Sequence, residues 1–182
     1  RKDPAYVGRA KEVQKAQKAI EAGTCPLDVL DELKPVMAAI QKSYPEVGKG
    51  NIGVGSTIFA VKPGDGSARE YAASCQKVLG GLANICIEYA TKRYRSNCVN
   101  WGMLPFQMEA EPDFEVGDYI YVPGVRKALD GDLNSIKAYV LGNGKDVKAQ
   151  IKELDLYITD MTPEERAIVK AGCLINYNRN RH

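Results

Sequence analysis

Residues 57–61 (TIFAV) form a short apolar run that ends on Pro63-Gly64-Asp65-Gly66, and this junction constrains the fold more than any other part of the chain. The run has the β-branched and aromatic character of a buried strand, and the glycines and proline that follow mark a tight turn. Residues 68–79 then read as a helix closed by Gly80-Gly81, and residues 83–89 as a second strand. Strand, turn, helix and strand make a βαβ unit, which calls for parallel pairing through a right-handed crossover. Ligands of such sheets gather beyond the carboxyl ends of the strands. Ser67 and Arg69 stand at that kind of end.

Two readings of the turn are open from its residues alone. Ser67-Ala68-Arg69-Glu70 has the S-x-x-E spacing of a capping box, in which Ser67 accepts from the backbone N–H of Glu70 and Glu70 reaches back to Ser67. The same place offers an anion the first helical N–H groups and the positive end of the helix dipole. Arg69 could then hold a carboxylate two bonds at a time, with the Ser67 hydroxyl beside it.

The flanking segments complete the architecture. Residues 5–22 are helical in pattern with Gly23 as the stop, and residues 27–44 place Leu27, Leu30, Leu33, Met37 and Ile40 on one face. Pro35 is expected to kink or split this second helix, and the pair forms a helical hairpin. Residues 92–101 have helical character. Beyond Pro105 the chain is β-rich at 118–123, 136–141 and 147–158, with Gly142-Asn143-Gly144 as a hairpin turn. Thr162-Pro163-Glu164-Glu165 opens a last helix with a capping Thr, Pro at the first helical position and acids in the first turn. The expected division is a helical N-terminal appendage over 1–47 and a mixed α/β domain over 48–182.

Composition excludes several classes. With 182 residues, 45% of them hydrophobic and 26% charged, the chain belongs with ordinary globular domains. No apolar run approaches the ~20 residues that span a membrane, so a cytoplasmic location is expected. A net charge of +2 is too small to mark a nucleic-acid surface, although Lys92-Arg93-Tyr94-Arg95 and Arg179-Asn180-Arg181 are local basic clusters. The five cysteines (Cys25, Cys75, Cys86, Cys98 and Cys173) are odd in number and lack C-x-x-C spacing, so they do not read as a disulfide framework or as zinc or cluster ligands, and most of them read as reduced core residues. His182 is the sole histidine and ends the chain as an expected disordered tail, which leaves no Ser-His-Asp chemistry and no histidine metal site. Trp101, the only tryptophan, reads as a packing anchor. The chain starts at Arg1 without an initiating methionine, and a longer polypeptide is expected around it.

The run Gly64-Asp65-Gly66-Ser67-Ala68-Arg69-Glu70-Tyr71-Ala72-Ala73, then Leu79-Gly80-Gly81, then Asn97-Cys98-Val99-Asn100-Trp101-Gly102-Met103-Leu104-Pro105-Phe106 resembles the C-terminal swivel domain of the aconitase and isopropylmalate dehydratase family. Those iron–sulfur hydro-lyases carry G-x-G-S-S-R-E-H-A-A and, further on, N-x-x-x-x-G-[LIV]-L-P-[LF]. Thr162 to Arg166 and Gly172 to Tyr177 also resemble their closing helix, so the similarity covers roughly residues 50–177.

The resemblance implies a three-layer swivelling β/β/α domain that supplies part of an active site for reversible dehydration of a hydroxy di- or tricarboxylic acid. It implies Ser67 as the catalytic base, acting as an alkoxide, and Arg69 as a substrate-carboxylate clamp. Gly64, Asp65, Gly66 and Glu70 would support the turn, while Asn97, Gly102 and Pro105 would shape the strand and loop facing the substrate. It further implies a four-iron four-sulfur cluster held by N-terminal domains of the same polypeptide that this chain does not contain, and no metal bound by this chain. Ala68 departs from the pattern: the family's second serine hydroxyl binds a substrate carboxylate, and its loss removes a contact worth ~1 kcal/mol in a buried site. Tyr71, in place of the family's His, is a second departure. Two other functions fit the same residues, a carboxylate-binding module without chemistry and an RNA-binding module resting on the basic clusters.

Overall fold

The computed structural model describes residues 3–48, 50–144 and 146–181. In chain order it forms α1 (Tyr6–Glu21), a 3-10 turn (Pro26–Asp28), α2 (Leu33–Ser43), β1 (Ser56–Ala60), α3 (Arg69–Val78), β2 (Gly81–Cys86), α4 (Lys92–Asn100) and β3 (Leu104–Gln107). Then follow β4 (Tyr119–Tyr121), α5 (Val125–Ala128), β5 (Ile136–Asn143), β6 (Asp146–Leu156), α6 (Pro163–Lys170) and α7 (Leu174–Arg179). The fold is mixed α/β with two small sheets, one of order β1-β2-β3 and one of order β4-β5-β6. The terminal His182 lies outside the described residues. Among the described residues no helix is long and apolar enough to cross a membrane.

The chain divides into two compact units. The first gathers residues 1–55, 111–123 and 137–155, so the N-terminal helices share a unit with the antiparallel sheet. Helix α1 buries Ala10, Ala16 and Ala19 and ends where Gly23, at φ +72°, leaves the helical path. The expected helix over 27–44 is shorter than its pattern. Residues 26–28 form a 3-10 turn, and α2 starts only at Leu33. Pro35 therefore sits in the first turn of α2, where its missing N–H would have had no intrahelical acceptor, and no kink is required. The apolar face of α2 packs Val36, Met37 and Ile40 against Val47 and Leu141, with Tyr119 and Tyr139 at the margin. β4 runs antiparallel to β5, with Ile120 opposite Val140 and Tyr121 opposite Tyr139.

The second unit gathers residues 56–110, 124–136 and 156–182. Its sheet is wholly parallel: Phe59 lies opposite Ile85 on β2, which lies opposite Phe106 on β3. Each crossover is a helix, α3 between β1 and β2 and α4 between β2 and β3. The chain thus makes two successive βαβ turns, one more than its pattern suggested, because Leu104-Pro105-Phe106-Gln107 pairs as a third strand. Proline is tolerated there because β3 is an edge strand that needs no second row of ladder donors at that position. β2 ends at Cys86, short of the 89 expected, since residues beyond it turn to bond the loop after β1: Glu88 N donates to Val61 O (3.0 Å) and Ala90 N to Pro63 O (2.9 Å). At the far end α6 forms the expected capping box, Glu165 N to Thr162 Oγ1 at 3.2 Å and Thr162 N to Glu165 Oε2 at 2.9 Å. Arg166 fastens it to the end of α5 through the carbonyls of Leu129 (3.2 Å) and Gly131 (2.6 Å).

Candidate functional site

The loops 61–68 and 87–91 leave the carboxyl ends of β1 and β2 side by side, zipped by the two backbone bonds above. An exposed ion pair between Lys62 and Glu88 (2.8 Å) adds to the join, and the Glu88 carboxylate raises the Lys62 ammonium pKa above its usual value. Gly64 is fixed by sterics. It adopts φ +96°, and a Cβ there would lie 2.5 Å from Cβ and 2.6 Å from Cγ of Tyr94. Only glycine lets the loop lie flat on that ring. Gly66 has open space around it, and no positive φ marks it. Asp65 and Gly66 are exposed, so the outer half of the turn faces solvent.

The capping box expected for Ser67 is not formed. The N-cap of α3 is Ala68 (φ −87°, ψ 49°), with no side-chain cap. The Glu70 carboxylate turns instead to α4's end and accepts from Trp101 Nε1 at 2.6 Å. A strong indole donor at short range outcompetes a reach back to the Ser67 amide. Ser67 is consequently exposed, and its hydroxyl has no hydrogen-bond partner among the described residues. The side chain of Arg69 is half-buried and folds back so that Nε donates to the Gly64 carbonyl at 3.1 Å. Its two Nη groups have no partner among the described residues. One loop therefore presents an unpaired hydroxyl, a guanidinium held by its inner nitrogen, and the uncapped first amides of α3. Ala68 is exposed at the N-cap with no hydroxyl to offer, and Tyr71 is 74% exposed one residue past Glu70.

The second motif is placed by α4. The helix closes in a Schellman motif, with Gly102 N bonding Val99 O (2.8 Å) and Met103 N bonding Cys98 O (2.9 Å). Gly102 takes φ +70° there, and a Cβ on it would stand 1.8 Å from the Gly172 carbonyl oxygen. Asn97 lies on α4, half-buried, with its carbonyl accepting from Trp101 N at 3.1 Å. Pro105 is buried on β3 opposite Asn84. The two motifs meet through Glu70 and Trp101 and through a shared core of Ala73, Tyr94, Cys98 and Met103. Asn97, Gly102 and Pro105 thus lie on α4, on the turn that closes it and on β3, while Ser67 and Arg69 lie on the loop after β1 and at the start of α3.

Several residues that the pattern did not single out organise this end of the sheet. Thr91 caps α4, accepting from Tyr94 N (3.2 Å) and donating to Gly64 O (3.2 Å). Tyr94 Oη accepts from Gln76 Nε2 (2.8 Å) and from Asn84 Nδ2 (3.0 Å), and Asn84 is wholly buried. Thr91, immediately before the basic cluster 92–95, has the residue type of an N-cap, a signal the sequence reading did not use. That cluster is not one charged face: Tyr94 is buried, and Arg95 is tied to Glu165 Oε1 (3.1 Å) and the Thr159 carbonyl (2.5 Å).

The cysteines do not fit a metal or cluster site on this chain. Nor are most of them the core residues expected: Cys25 and Cys75 are exposed, only Cys86 and Cys98 are buried, and Cys173 lies in between. No three His, Cys, Asp or Glu side chains gather as ligands among the described residues. Burial pushes the Cys86 thiol up to about 12 and the Cys98 thiol to about 11, so both stay protonated and make poor ligands. No family model matches the chain, and no curated protein matches it.

Proposed function

We propose that the second unit is the swivel-type domain of an aconitase-like hydro-lyase, contributing Ser67 as base and Arg69 as carboxylate clamp for a hydroxy di- or tricarboxylate. The observation that supports it most is the pair on one loop: a hydroxyl without a partner among the described residues, two residues from a guanidinium whose Nη groups have none there either and whose Nε is anchored. In such a reaction Ser67 Oγ takes a proton from the carbon beside a carboxylate. The C–H electron pair becomes the new C=C bond as hydroxide leaves the neighbouring carbon. A serine alkoxide is accessible only where donors stabilise it and water is kept out. The α3 amides and Arg69 favour the negative charge, while the exposure of the loop means that closure has to come from outside this unit. The four-iron four-sulfur cluster of such enzymes does not fit this chain's own residues, so another part of the polypeptide would hold it, in a cytoplasmic setting.

The test is Ser67→Ala in the polypeptide that carries this chain, assayed for dehydration of hydroxy di- and tricarboxylates. Turnover should fall by orders of magnitude at unchanged melting temperature, and near-normal turnover would refute the assignment. A second reading, carboxylate binding without chemistry, is favoured by Ala68, which leaves the loop one hydroxyl short of the family pattern. Saturable citrate binding by a polypeptide that turns over no hydroxy acid would select it. RNA binding has less support, because Arg95 is already committed to Glu165 and Thr159.

A further inference from the structure

We propose that Thr91 is a positioning residue for Arg69, acting through the Gly64 carbonyl, and that it commits the arginine to meet a carboxylate end-on through its two Nη groups. The inference rests on the carboxylate-binding role given to Arg69 above.

The supporting geometry is a directed chain of hydrogen bonds. Tyr94 N donates to Thr91 Oγ1 (3.2 Å), so the oxygen of Thr91 is engaged as acceptor and its proton goes outward. It goes to Gly64 O at 3.2 Å, and the same carbonyl accepts from Arg69 Nε at 3.1 Å. Both lone pairs of that oxygen are then in use. The tether has something to hold, because the carbonyl belongs to the Gly64–Asp65 peptide, and Gly64 at φ +96° tolerates backbone rotations closed to other residues. On the other side α4's first turn cannot drift. The Tyr94 ring lies against Gly64, and its hydroxyl is bonded from α3 by Gln76 and from β2 by Asn84. The start of α4 thus orients the Gly64 peptide plane, and the peptide plane orients the arginine.

Arginine meets a carboxylate either side-on, through Nε and one Nη, or end-on, through both Nη groups. Nε is already occupied, which leaves the end-on fork. Loss of the Thr91 hydroxyl frees the carbonyl to swing, and Arg69 then samples both modes at an entropic cost to binding.

The experiment is calorimetry with citrate of the polypeptide that carries this chain, together with NMR exchange of the Arg69 Nε–H. Thr91→Val should weaken citrate about three- to tenfold, the range set by one hydrogen bond, and Thr91→Ser should restore it. In an Arg69→Gln background Thr91→Val should have no further effect, whereas a merely structural role would weaken binding in both backgrounds. Exchange of the Arg69 Nε–H should quicken in Thr91→Val and recover in Thr91→Ser. Equal weakening in both backgrounds, or unchanged exchange, overturns the positioning role. If Arg69→Gln leaves citrate affinity unchanged, or the wild-type polypeptide binds no citrate, the carboxylate reading of Arg69 fails; the exchange measurement still decides whether Thr91 holds the side chain.

Discussion

Replacing Gly102 by alanine should unfold the second unit at a markedly lower temperature, and the size of the effect follows from two separable terms. The first is backbone strain. Gly102 sits at φ +70° in the Schellman turn after α4, and an L-residue in that region costs roughly 1–2 kcal/mol. The second is contact: the added methyl would stand 1.8 Å from the Gly172 oxygen and 2.4 Å from its carbonyl carbon, so backbone has to move. Overpacking of that kind costs typically 1–3 kcal/mol. Together they give about 2–5 kcal/mol, or on the order of 10 °C in melting temperature for a chain of this size. Gly124→Ala isolates the first term, since Gly124 has φ +61° and nothing within 4 Å of a built Cβ. Gly66→Ala provides the baseline, with open space and no positive φ. Circular-dichroism melts of the three variants should therefore rank Gly66→Ala near wild type, Gly124→Ala intermediate and Gly102→Ala lowest. A Gly102→Ala melt no lower than Gly124→Ala would show that α4's end does not approach Gly172 as closely as described.

Alkaline pH should destabilise the fold. Folded Cys86, Cys98 and Tyr94 titrate at about 12, 11 and 12, above their ordinary values of 9.0, 9.0 and 10.0, with burial the leading cause. The unfolded chain therefore loses these protons first. Their contribution is complete below about pH 9 and declines as pH rises toward the folded values, by at most about 1.4 kcal/mol per pH unit per group. Urea midpoints should fall between about pH 9 and 10.5, less steeply in Cys98→Ala; a flat profile would contradict the buried placement. Thr162→Ala removes a cap and should cost about 1 kcal/mol. Glu165→Ala should cost more, on the order of 2 kcal/mol, because it also leaves Arg95, whose side chain is only 12% exposed, with the Thr159 carbonyl but no opposite charge. The reverse order in denaturant melts would show that the Arg95 pair contributes little.

Where the local pattern carried its own physics, the chain was readable. The Gly64–Gly66 turn, the helix after it and the parallel pairing of β1 with β2 followed from apolar runs broken by glycine, and Thr162-Pro163-Glu164-Glu165 named its own cap. Ser67 was harder, because S-x-x-E spelled a capping box while Glu70 had a better partner 31 residues away in Trp101. Pro35 misled in the same way: its effect depends on where α2 begins, and the apolar face over 27–44 does not say. Tyr94 was hidden within a run that read as surface charge and Thr91 stood just before it, and their roles exist only once α4 lies against the loop after β1.

The sequence by itself determined a parallel α/β arrangement and a glycine turn carrying Ser67 and Arg69, since strand period, helix stops and turn chemistry are local properties of the backbone. Only tertiary structure decided that Gly64 and Gly102 are obligatory while Gly66 is not, that Ser67 stays uncapped, and that the N-terminal helices share a unit with the antiparallel sheet. Each of these depends on which atoms arrive from distant segments, and close approach between such segments leaves no mark on the residues nearby.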